Sequence, residues 1–348
     1  MKLPFKLSRR QFIYGSMAGL PTAAAADTFL IEPTWLAVNR VKLSESPTTR
    51  IVQFSDVHHK GDRKYFEKVI ETINGLEPDV VCFTGDLIER RKHLAEALEL
   101  IGQIKAPVVG IPGNHDYWAR VEFSEWSEPF RKTGGAFLMD EAFELKKHNL
   151  RFIGLTGGKD PKLEPKKGKR NILLTHYPAH VKEMRERKFD LMLAGHSHGG
   201  QIRIPFIGAP ILPWRVDEYD LGYFDTKWGP LYVSSGIGYF YINVRFNCRP
   251  EVTLLELKVR LRSPTIRPSD ERGHRRTNIP EETAPAALAG VFICRHPAGA
   301  FGRLWKPSLL LAGRKGPFRR RFPNHTDPGR AGGQSNAGGT PKETQAGA

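Results

Sequence analysis

The chain has 348 residues, of which 40% are hydrophobic, enough for a sizeable core in one large or two ordinary domains. Its net charge of +16 points to a nucleic-acid or membrane partner, but the charge is concentrated at the two ends. Residues 1–26 hold four basic and no acidic residues, residues 262–348 hold fifteen basic and six acidic, and the middle has 34 against 31. The middle therefore gives no reason to expect a specific nucleic-acid partner. Three cysteines are too few and too scattered for a disulfide framework or a zinc ribbon.

The first 26 residues are predicted to be an export signal rather than part of the fold. Two lysines precede the pair Arg9-Arg10, a short apolar stretch follows, and an alanine run offers a cleavage site after Ala26. The arginine pair followed by Phe and Ile resembles a twin-arginine signal. The twin-arginine export machinery is then a partner, and the expected location is the periplasm or the outer face of the cytoplasmic membrane. An ordinary secretory signal and an uncleaved anchor are the alternatives.

From about residue 50, apolar runs alternate with segments of helical period, which predicts a layered α/β domain. Amphipathic helices are predicted over 65–76, 94–104 and 179–187, and a fourth, over 122–132, is expected to break at Pro129. The predicted strands of this part are 50–55, 79–84, 108–111, 136–138, 143–145, 151–155, 171–174 and 191–194.

The pattern changes after Gln201. Residues 202–214, rich in proline and aliphatic side chains, are predicted to form an ordered loop or lid, followed by strands over 219–226, 229–234, 241–247 and 251–258. The domain is taken to span residues 27–261, and residues 262–348 are predicted to be a disordered basic tail rich in proline and glycine. Nonspecific binding to anionic polymers or lipid headgroups and a dispensable extension are the two alternatives for this tail.

Polar side chains typical of metal sites follow five successive predicted strands. Because ligands bind at the carboxyl edge of an open α/β sheet, these side chains are expected to converge on one rim. Two imidazoles separated by one residue of extended chain also point the same way. In chain order, the strand ends carry Asp56 and His58; Asp86; Asn114, His115 and Asp116; His176; and His196 and His198 within Gly195-His196-Ser197-His198-Gly199-Gly200-Gln201.

Oxygen and imidazole donors without thiolate suit two divalent ions of manganese, iron or zinc. One aspartate can bridge both ions because its two oxygens bind separately. Between two such ions, typically ~3.5–4 Å apart, a water loses its proton near neutral pH and becomes a nucleophile. Taken singly, Asp56, Asp86 and Asn114 are better explained as helix N-caps, but the joint order of all these residues favours a metal centre.

The order D-x-H, G-D, G-N-H-D, H and G-H-x-H resembles the calcineurin-like metallophosphoesterase superfamily over roughly residues 30–260. The strings FSDVHH, GNHDYW and GHSHGGQ, with the twin-arginine start, are similar to its exported bacterial branch. The resemblance implies a four-layer sandwich of two mixed β-sheets flanked by helices, and a metal-dependent phosphoric ester hydrolase. Related members include phosphodiesterases and the UDP-2,3-diacylglucosamine pyrophosphatases of lipid A synthesis. Phosphodiester or pyrophosphate substrates are therefore favoured over monoesters.

The resemblance also implies a role for each site residue. His115 would lie over the scissile phosphate as general acid or charge stabiliser, Asp116 would orient it, and a metal-bridging hydroxide would attack phosphorus. The metal ligands would be Asp56, His58 and His198 for the first ion, Asn114, His176 and His196 for the second, and Asp86 for both.

Two rival functions are non-enzymatic. A metal-binding scaffold without catalysis predicts a missing ligand, and no ligand is missing. A polyanion binder acting through the basic tail predicts a basic face on the core, and the core is nearly neutral. Association with a membrane surface is a further option, because the apolar loop 202–214 would suit an acyl chain as well as packing against the domain.

Other residues near the motifs have weaker claims on function. His59 is expected at the rim, where it could touch substrate. Trp118 is expected to serve core or rim packing rather than base stacking. The remaining histidines considered, all expected on the surface, are His93, His148 and His180.

Overall fold

The computed structural model describes residues 8–157 and 162–258. The chain divides after Ser269, and its second part, Asp270–Ala348, lies wholly outside the described residues. The predicted disordered tail, residues 262–348, is therefore outside them too, and its disorder stays a prediction.

The N-terminal segment is helical and leads directly into the first strand. Helix α1 (Arg9–Ala26) covers most of the predicted export signal, and a π-helical turn and a 3₁₀ turn follow it. Within the described ranges, no helix is long and apolar enough to cross a bilayer. The carboxylate of Glu32 accepts hydrogen bonds from the backbone N–H groups of Asn247 and Cys248, which ties this segment to the domain. The cleavage after Ala26 stays a prediction.

The described residues contain twelve strands. They are β1 (Ala37–Lys42), β2 (Thr49–Phe54), β3 (Val80–Phe83), β4 (Val108–Gly110), β5 (Ala136–Phe137), β6 (Ala142–Leu145), β7 (Leu150–Leu155), β8 (Arg170–Thr175), β9 (Leu191–Ala194), β10 (Gly222–Thr226), β11 (Gly229–Val233) and β12 (Glu251–Leu257).

These strands form two mixed six-stranded sheets, in the orders β1-β12-β2-β3-β4-β5 and β10-β11-β9-β8-β7-β6. Strands β2 to β5 run parallel, as do β7, β8, β9 and β11, whereas β12 pairs antiparallel with β2, β10 with β11, and β6 with β7. The parallel centres bring the carboxyl ends of β2, β3, β4, β8 and β9 together. Gln53 Nε2 donates to the carbonyl of Ala194 at 2.9 Å, which joins the two sheets at that edge.

Four α-helices follow α1: α2 (Arg63–Gly75), α3 (Leu94–Ile101), α4 (Asn114–Trp118) and α5 (Ser124–Lys132). Helix α2 begins where the side chain of Asp62 accepts the N–H of Tyr65, and its apolar face buries four residues spaced as a helix requires. These are Phe66, Val69, Ile70 and Ile73.

The core has three apolar layers because successive strand residues point to opposite faces. Val52 and Val81 pack with α2, α3 and α5, whereas Ile51 and Val80 pack against Ile172 and its neighbours between the sheets. The outer face of the second sheet is covered by a 3₁₀ helix, Pro178–Met184, together with loops. The sandwich of two mixed sheets flanked by helices is therefore confirmed.

Three local predictions are wrong. Residues 179–187 form a 3₁₀ helix only as far as Met184, after Pro178 at its start. Helix α5 does not break at Pro129, because the carbonyl that loses its donor belongs to Glu125, in the exposed first turn where water can satisfy it. Residues 241–247 form bends with a single bridge between Phe246 and Ile202 rather than a strand. Strand β1 was not predicted at all.

Candidate metal centre

The loops after β2, β3, β4, β8 and β9 bring all seven predicted metal ligands to one cluster at the edge shared by the sheets, where six are buried and His196 is half-buried. Five of the seven have a positive φ, an uncommon backbone conformation for residues other than glycine. Such strain costs on the order of 1–3 kcal/mol per residue and persists where function requires it. The residues and their φ values are Asp56 (51°), His58 (44°), Asp86 (59°), His196 (68°) and His198 (48°).

The first group of ligands lies at the ends of β2 and β9. Its members, Asp56, His58 and His198, each offer a ligand atom, and these atoms lie within 4.8 Å of one another. The Nε2 atoms of His58 and His198 are 3.1 Å apart, and His198 Nε2 is 3.6 Å from Asp56 Oδ1. One cation can therefore be reached by all three side chains.

The second group lies at the ends of β3, β4, β8 and β9. Ligand atoms of Asp86, His176 and His196 are within 4.8 Å of one another, and His176 Nε2 is 2.9 Å from Asn114 Oδ1. The backbone N–H of His196 donates to both carboxylate oxygens of Asp56, at 2.9 and 3.1 Å. These hydrogen bonds connect the two ligand groups directly.

A single oxygen of Asp86 stands between the two groups. Asp86 Oδ2 is 3.5 Å from His58 Nε2 and 3.3 Å from His176 Nε2. The other oxygen, Oδ1, accepts the backbone N–H of His115 at 2.7 Å. From the sequence, each oxygen of Asp86 was expected to face a different ion. In the structure, Oδ2 faces both ligand groups and Oδ1 faces the backbone.

The second nitrogen of three histidines is held by an acceptor outside the cluster. His58 Nδ1 bonds Glu89 Oε2 at 2.9 Å, His176 Nδ1 bonds the Thr84 carbonyl at 2.8 Å, and His196 Nε2 bonds the Trp214 carbonyl at 2.8 Å. A nitrogen that donates its proton outwards leaves the lone pair of the other nitrogen directed at the cluster. Metal-ligating histidines are typically arranged in this way.

His198 completes the case that the donor set fits metal. Its ring is buried, and its Nδ1 atom has no hydrogen-bond partner among the residues that the structure describes. A buried neutral imidazole whose Nδ1 is unsatisfied loses its hydrogen bonds to water, and no hydrogen bond within the protein replaces them. A cation on the cluster side would compensate that loss. The set of imidazole and oxygen atoms without thiolate suits manganese, iron or zinc.

The pKa shifts of the cluster reflect burial and the pairing of Asp86 with neighbouring imidazoles. Burial tends to lower the pKa of His176, but the charge of Asp86 and a hydrogen bond to it raise that pKa to about 9. Burial opposes ionisation of Asp86, yet His176 and the neighbouring imidazoles hold its pKa well below the usual range. Burial lowers the pKa of His196 to about 3 and that of His198 well below its ordinary value, so these two rings are neutral donors at pH 7.

His115 lies beside the first group, at the second position of α4, with its ring 4.5 Å from that of His58. Its Nδ1 atom is 3.1 Å from Glu89 Oε2, so Glu89 contacts both His115 and His58. Glu89 was not among the site residues predicted from the sequence. Its position three residues after Asp86, in the loop that follows β3, was the feature of the sequence that could have indicated a place near the ligands.

The prediction that Asp116 orients His115 is wrong. The carboxylate of Asp116 instead accepts four backbone N–H groups at 2.9–3.2 Å, and the residues that donate them are Asp86, Leu87, Ile88 and Gly113. Asp116 therefore fixes the backbone that carries Asp86. Burial and the charge of Asp86 raise the pKa of Asp116 to about 8, against the effect of these hydrogen bonds.

Two other histidines lie elsewhere than predicted. His59 is buried, and its Nε2 is 2.5 Å from Glu96 Oε1, away from the rim. His180 is buried too: its Nε2 accepts from Arg215 at 2.9 Å, and its Nδ1 is 3.3 Å from Thr175 Oγ1. Both serve the scaffold around the site.

The loop that follows β9 is packed too tightly for a side chain at Gly195. A Cβ atom there would lie 2.0 Å from Ser55 Oγ and 2.5 Å from Asp56 Oδ2. Further along, Gln201 spans to another loop: its Nε2 donates to the carbonyls of Ile242 and Val244, and its Oε1 accepts the N–H of Phe240. This motif therefore carries two ligands and also anchors the loop of residues 240–244.

Comparison with known proteins agrees with this geometry. The family model described as calcineurin-like phosphoesterase matches residues 49–200. The chain is 30% identical over 290 residues to the uncharacterized metallophosphoesterase YkuE of Bacillus subtilis, covering 73% of this chain and 98% of the relative. It is 27% identical over 269 residues to the phosphodiesterase YaeI of Escherichia coli, covering 72% and 99%.

Among solved structures, a match to an archaeal phosphodiesterase has 15% identity and a TM-score of 0.35, covering 55% of this chain and 87% of that one. The residues matched by the family model, 49–200, include all five ligand-bearing loops, and the similarity to YkuE extends over nearly the full length of that relative. The chain belongs to the calcineurin-like metallophosphoesterase family of metal-dependent phosphoester hydrolases.

Proposed function

We propose that this protein is an exported phosphodiesterase that works with two divalent metal ions. The observation that carries the proposal is the position of Asp86 Oδ2, which faces His58 of one ligand group and His176 of the other. A phosphodiesterase among the relatives, YaeI, supports a diester substrate for this chain.

The two ions, when bound, would supply a deprotonated water for attack on phosphorus and neutralise the phosphoryl oxygens. The residues of the chain position the ligands and supply the proton for the leaving group. Six of the seven ligand residues are buried and His196 is half-buried, which limits access of bulk water and fixes the donor atoms before substrate arrives. Burial lowers the pKa of His115, but the negative charges of Asp86 and Glu89 favour its imidazolium form. In that form, Nδ1–H donates to Glu89 and Nε2–H would give the proton to the leaving oxygen.

The test is a hydrolysis screen of the purified chain with bis-p-nitrophenyl phosphate in the presence of manganese, iron or zinc. We expect turnover that depends on added metal. Asp86→Ala is expected to lose both metal and turnover, and His115→Ala to keep metal while losing most turnover. If both variants turn over like the parent, the mechanism is wrong.

His148→Ala serves as the matched control. His148 is a half-buried histidine in the turn before β7, at the opposite edge of the sheet from the ligand loops. Its loss is expected to leave metal content and turnover unchanged. An effect of His115→Ala then reflects the position of His115 and not merely the removal of a histidine.

Export by the twin-arginine route belongs to the same proposal, and the pair Arg9-Arg10 supports it. Substitution of both arginines by lysine is expected to retain the protein in the cytoplasm while leaving its activity in extracts intact. Fractionation of cells into cytoplasm, membrane and periplasm measures this outcome. Unchanged export of the double variant would point to an ordinary secretory signal.

A lipid-linked pyrophosphate, as in UDP-2,3-diacylglucosamine, is the second candidate substrate. The observation that favours it is the loop 202–214, where five large apolar side chains are exposed to solvent: Ile204, Phe206, Ile207, Ile211 and Trp214. The carbonyl of Trp214 bonds His196, so this loop adjoins the second ligand group. Exposed apolar side chains of this kind suit an acyl chain or a membrane surface.

Comparison of UDP-2,3-diacylglucosamine with the unacylated UDP-glucosamine separates the candidates. A lipid substrate predicts a strong preference for the acylated compound and loss of that preference in Phe206→Ser/Ile207→Ser. Equal rates on both would remove the lipid candidate. Deletion of residues 262–348 tests the binding alternatives, because the phosphodiesterase predicts that activity survives the deletion.

A further inference from the structure

Three aromatic side chains form a row with His115, which lies between Trp118 on one side and Phe240 and Tyr241 on the other. The ring of Trp118 is 4.5 Å from the imidazole of His115, and the ring of Phe240 is 5.5 Å from it at an interplanar angle of 84°. The ring of Tyr241 lies 4.0 Å from that of Phe240. We call Trp118, Phe240 and Tyr241 the aromatic row.

The aromatic row contributes little to the core. Trp118 is 63% exposed and Tyr241 is 78% exposed, whereas Trp126, one helix further along the chain, is fully buried. Trp118 stands three residues after His115 on α4, which places the two side chains on the same face of that helix. Large aromatic surface is thus open to solvent immediately beside the imidazole.

The aromatic row is built on the segments that carry the site. Phe240 is 6.3 Å from His198, and its backbone N–H is held by Gln201 Oε1. Gln201 also holds the carbonyls of Ile242 and Val244, so the loop is tied to the motif that supplies His196 and His198. Residues supported in this way present a fixed surface to a bound ligand.

We infer that the aromatic row is a leaving-group subsite for a planar aromatic group, such as an aryl ring or a nucleobase, attached to the leaving oxygen. The inference rests on the proposed function, in which His115 protonates the leaving oxygen. The group on that oxygen must then lie beside His115, where the faces of Trp118 and Phe240 are available. Aromatic rings gain from stacked or edge-to-face contact with other rings beyond what their area alone provides.

The experiment compares two diesters that share a methyl group on the non-leaving side. Methyl p-nitrophenyl phosphate has an aryl leaving group, and methyl trifluoroethyl phosphate has an alkyl one. For each substrate, kcat/KM of a variant is divided by that of the parent, so the intrinsic reactivity of each leaving group cancels. Trp118→Ala is expected to lose about tenfold on the aryl diester and less than about twofold on the alkyl diester.

Three further variants test whether the effect depends on an aromatic ring at this position. Trp118→Phe is expected to recover most of the aryl activity because it restores a ring, and Tyr241→Ala to lose about two- to threefold on the aryl diester only. The matched control is Trp35→Ala, since Trp35 is 54% exposed and stacks on Arg249, away from His115. This control is expected to change neither ratio. Metal content and thermal unfolding are measured for every variant, and inhibition by phenyl phosphate against methyl phosphate reports binding without turnover.

Two results overturn the inference. Equal losses on both diesters in Trp118→Ala, with metal content unchanged, would leave the phosphodiesterase intact and remove the subsite. If Trp118→Ala is too unstable to assay, Trp118→Phe and Tyr241→Ala must still affect the aryl diester selectively, or the subsite is wrong. Failure of the parent to hydrolyse either diester would instead defeat the proposed function, and the subsite with it.

Discussion

The ligand cluster and the aromatic row adjoin one another but are built on opposite physical principles. The cluster is buried apart from the half-buried His196, each of three histidines has an outward hydrogen-bond acceptor, and five residues accept a strained backbone. In the row, Trp118 and Tyr241 are exposed and Phe240 is half-buried. Buried, strained groups tolerate little change, so the cluster sets the chemistry, whereas the row is free to set substrate preference.

Asp86→Asn should give the largest effect, because it removes the charge that faces both ligand groups while keeping the shape of the side chain. We expect turnover to fall by about 10³-fold or more on every diester, with loss of bound metal. Metal analysis and kcat on two diesters measure it. Asp225→Asn, at an exposed aspartate paired with Tyr223, is the control and should change neither. Retained metal in Asp86→Asn would show that the cluster does not depend on this charge.

Gly195→Ala tests how tightly the cluster is packed. The new methyl group meets Ser55 Oγ and Asp56 Oδ2, both fixed in the buried edge, so we expect a loss of about 2–4 kcal/mol in the free energy of unfolding. Urea denaturation measures it. Gly75→Ala is the control, because a Cβ atom there meets nothing within 4 Å, and its stability should be unchanged or slightly higher. Equal stability of the two variants would contradict the tight packing.

Glu89→Gln tests the group that joins the cluster to His115. The hydrogen bond from His58 lowers the pKa of Glu89 to about 2, so the residue is an anion over the working range. Loss of that charge should reduce turnover by about 10–100-fold, as for other outer partners of metal ligands. The effect should fall on kcat with little change in KM.

Glu96→Gln is the matched control for Glu89→Gln, because Glu96 also bonds a buried histidine, His59, that is not among the ligands. It should leave kcat within about twofold of the parent, since it touches neither ligand group. Similar losses in both glutamate variants would mean that Glu89 acts through stability rather than through the site.

His180→Gln should give the smallest effect. Burial, with a contribution from Arg215, lowers the pKa of His180 to about 4, whereas the unfolded chain has a value near its ordinary 6.5. The unfolded state therefore binds a proton first, and this residue makes stability fall as pH drops from about 6.5 to 4. Removing it should flatten that decline by about 2 kcal/mol.

The measurement for His180→Gln is urea denaturation at pH 7 and pH 5 with chelator present throughout, so that metal release does not contribute. His148→Gln is the control, and its decline should match that of the parent. An unchanged decline in His180→Gln would show that the buried imidazole does not titrate on unfolding.

The sequence by itself determined the parts of this protein that depend on local order. The alternation of apolar runs with segments of helical period predicted the central strands of the sheets. Because parallel strands share a carboxyl edge, it was also predictable that Asp56, Asp86 and His176 lie close together. The residue types at these strand ends were enough to indicate the chemistry, because few combinations of Asp, Asn and His at such positions serve anything but a metal.

Only the tertiary structure decided what depends on contacts between distant segments. Strand β1 pairs with β12 across more than 200 residues, and its alternating side chains alone did not reveal it. The partners of His115 and Asp116 were assigned wrongly from sequence, because a carboxylate one residue away points elsewhere once the helix forms, while Glu89 arrives from another loop. Phe240 contacts His115 from a loop that the hydrogen bonds of Gln201 help to hold in place. Such pairings follow from how the loops pack, which neither periodicity nor residue spacing encodes.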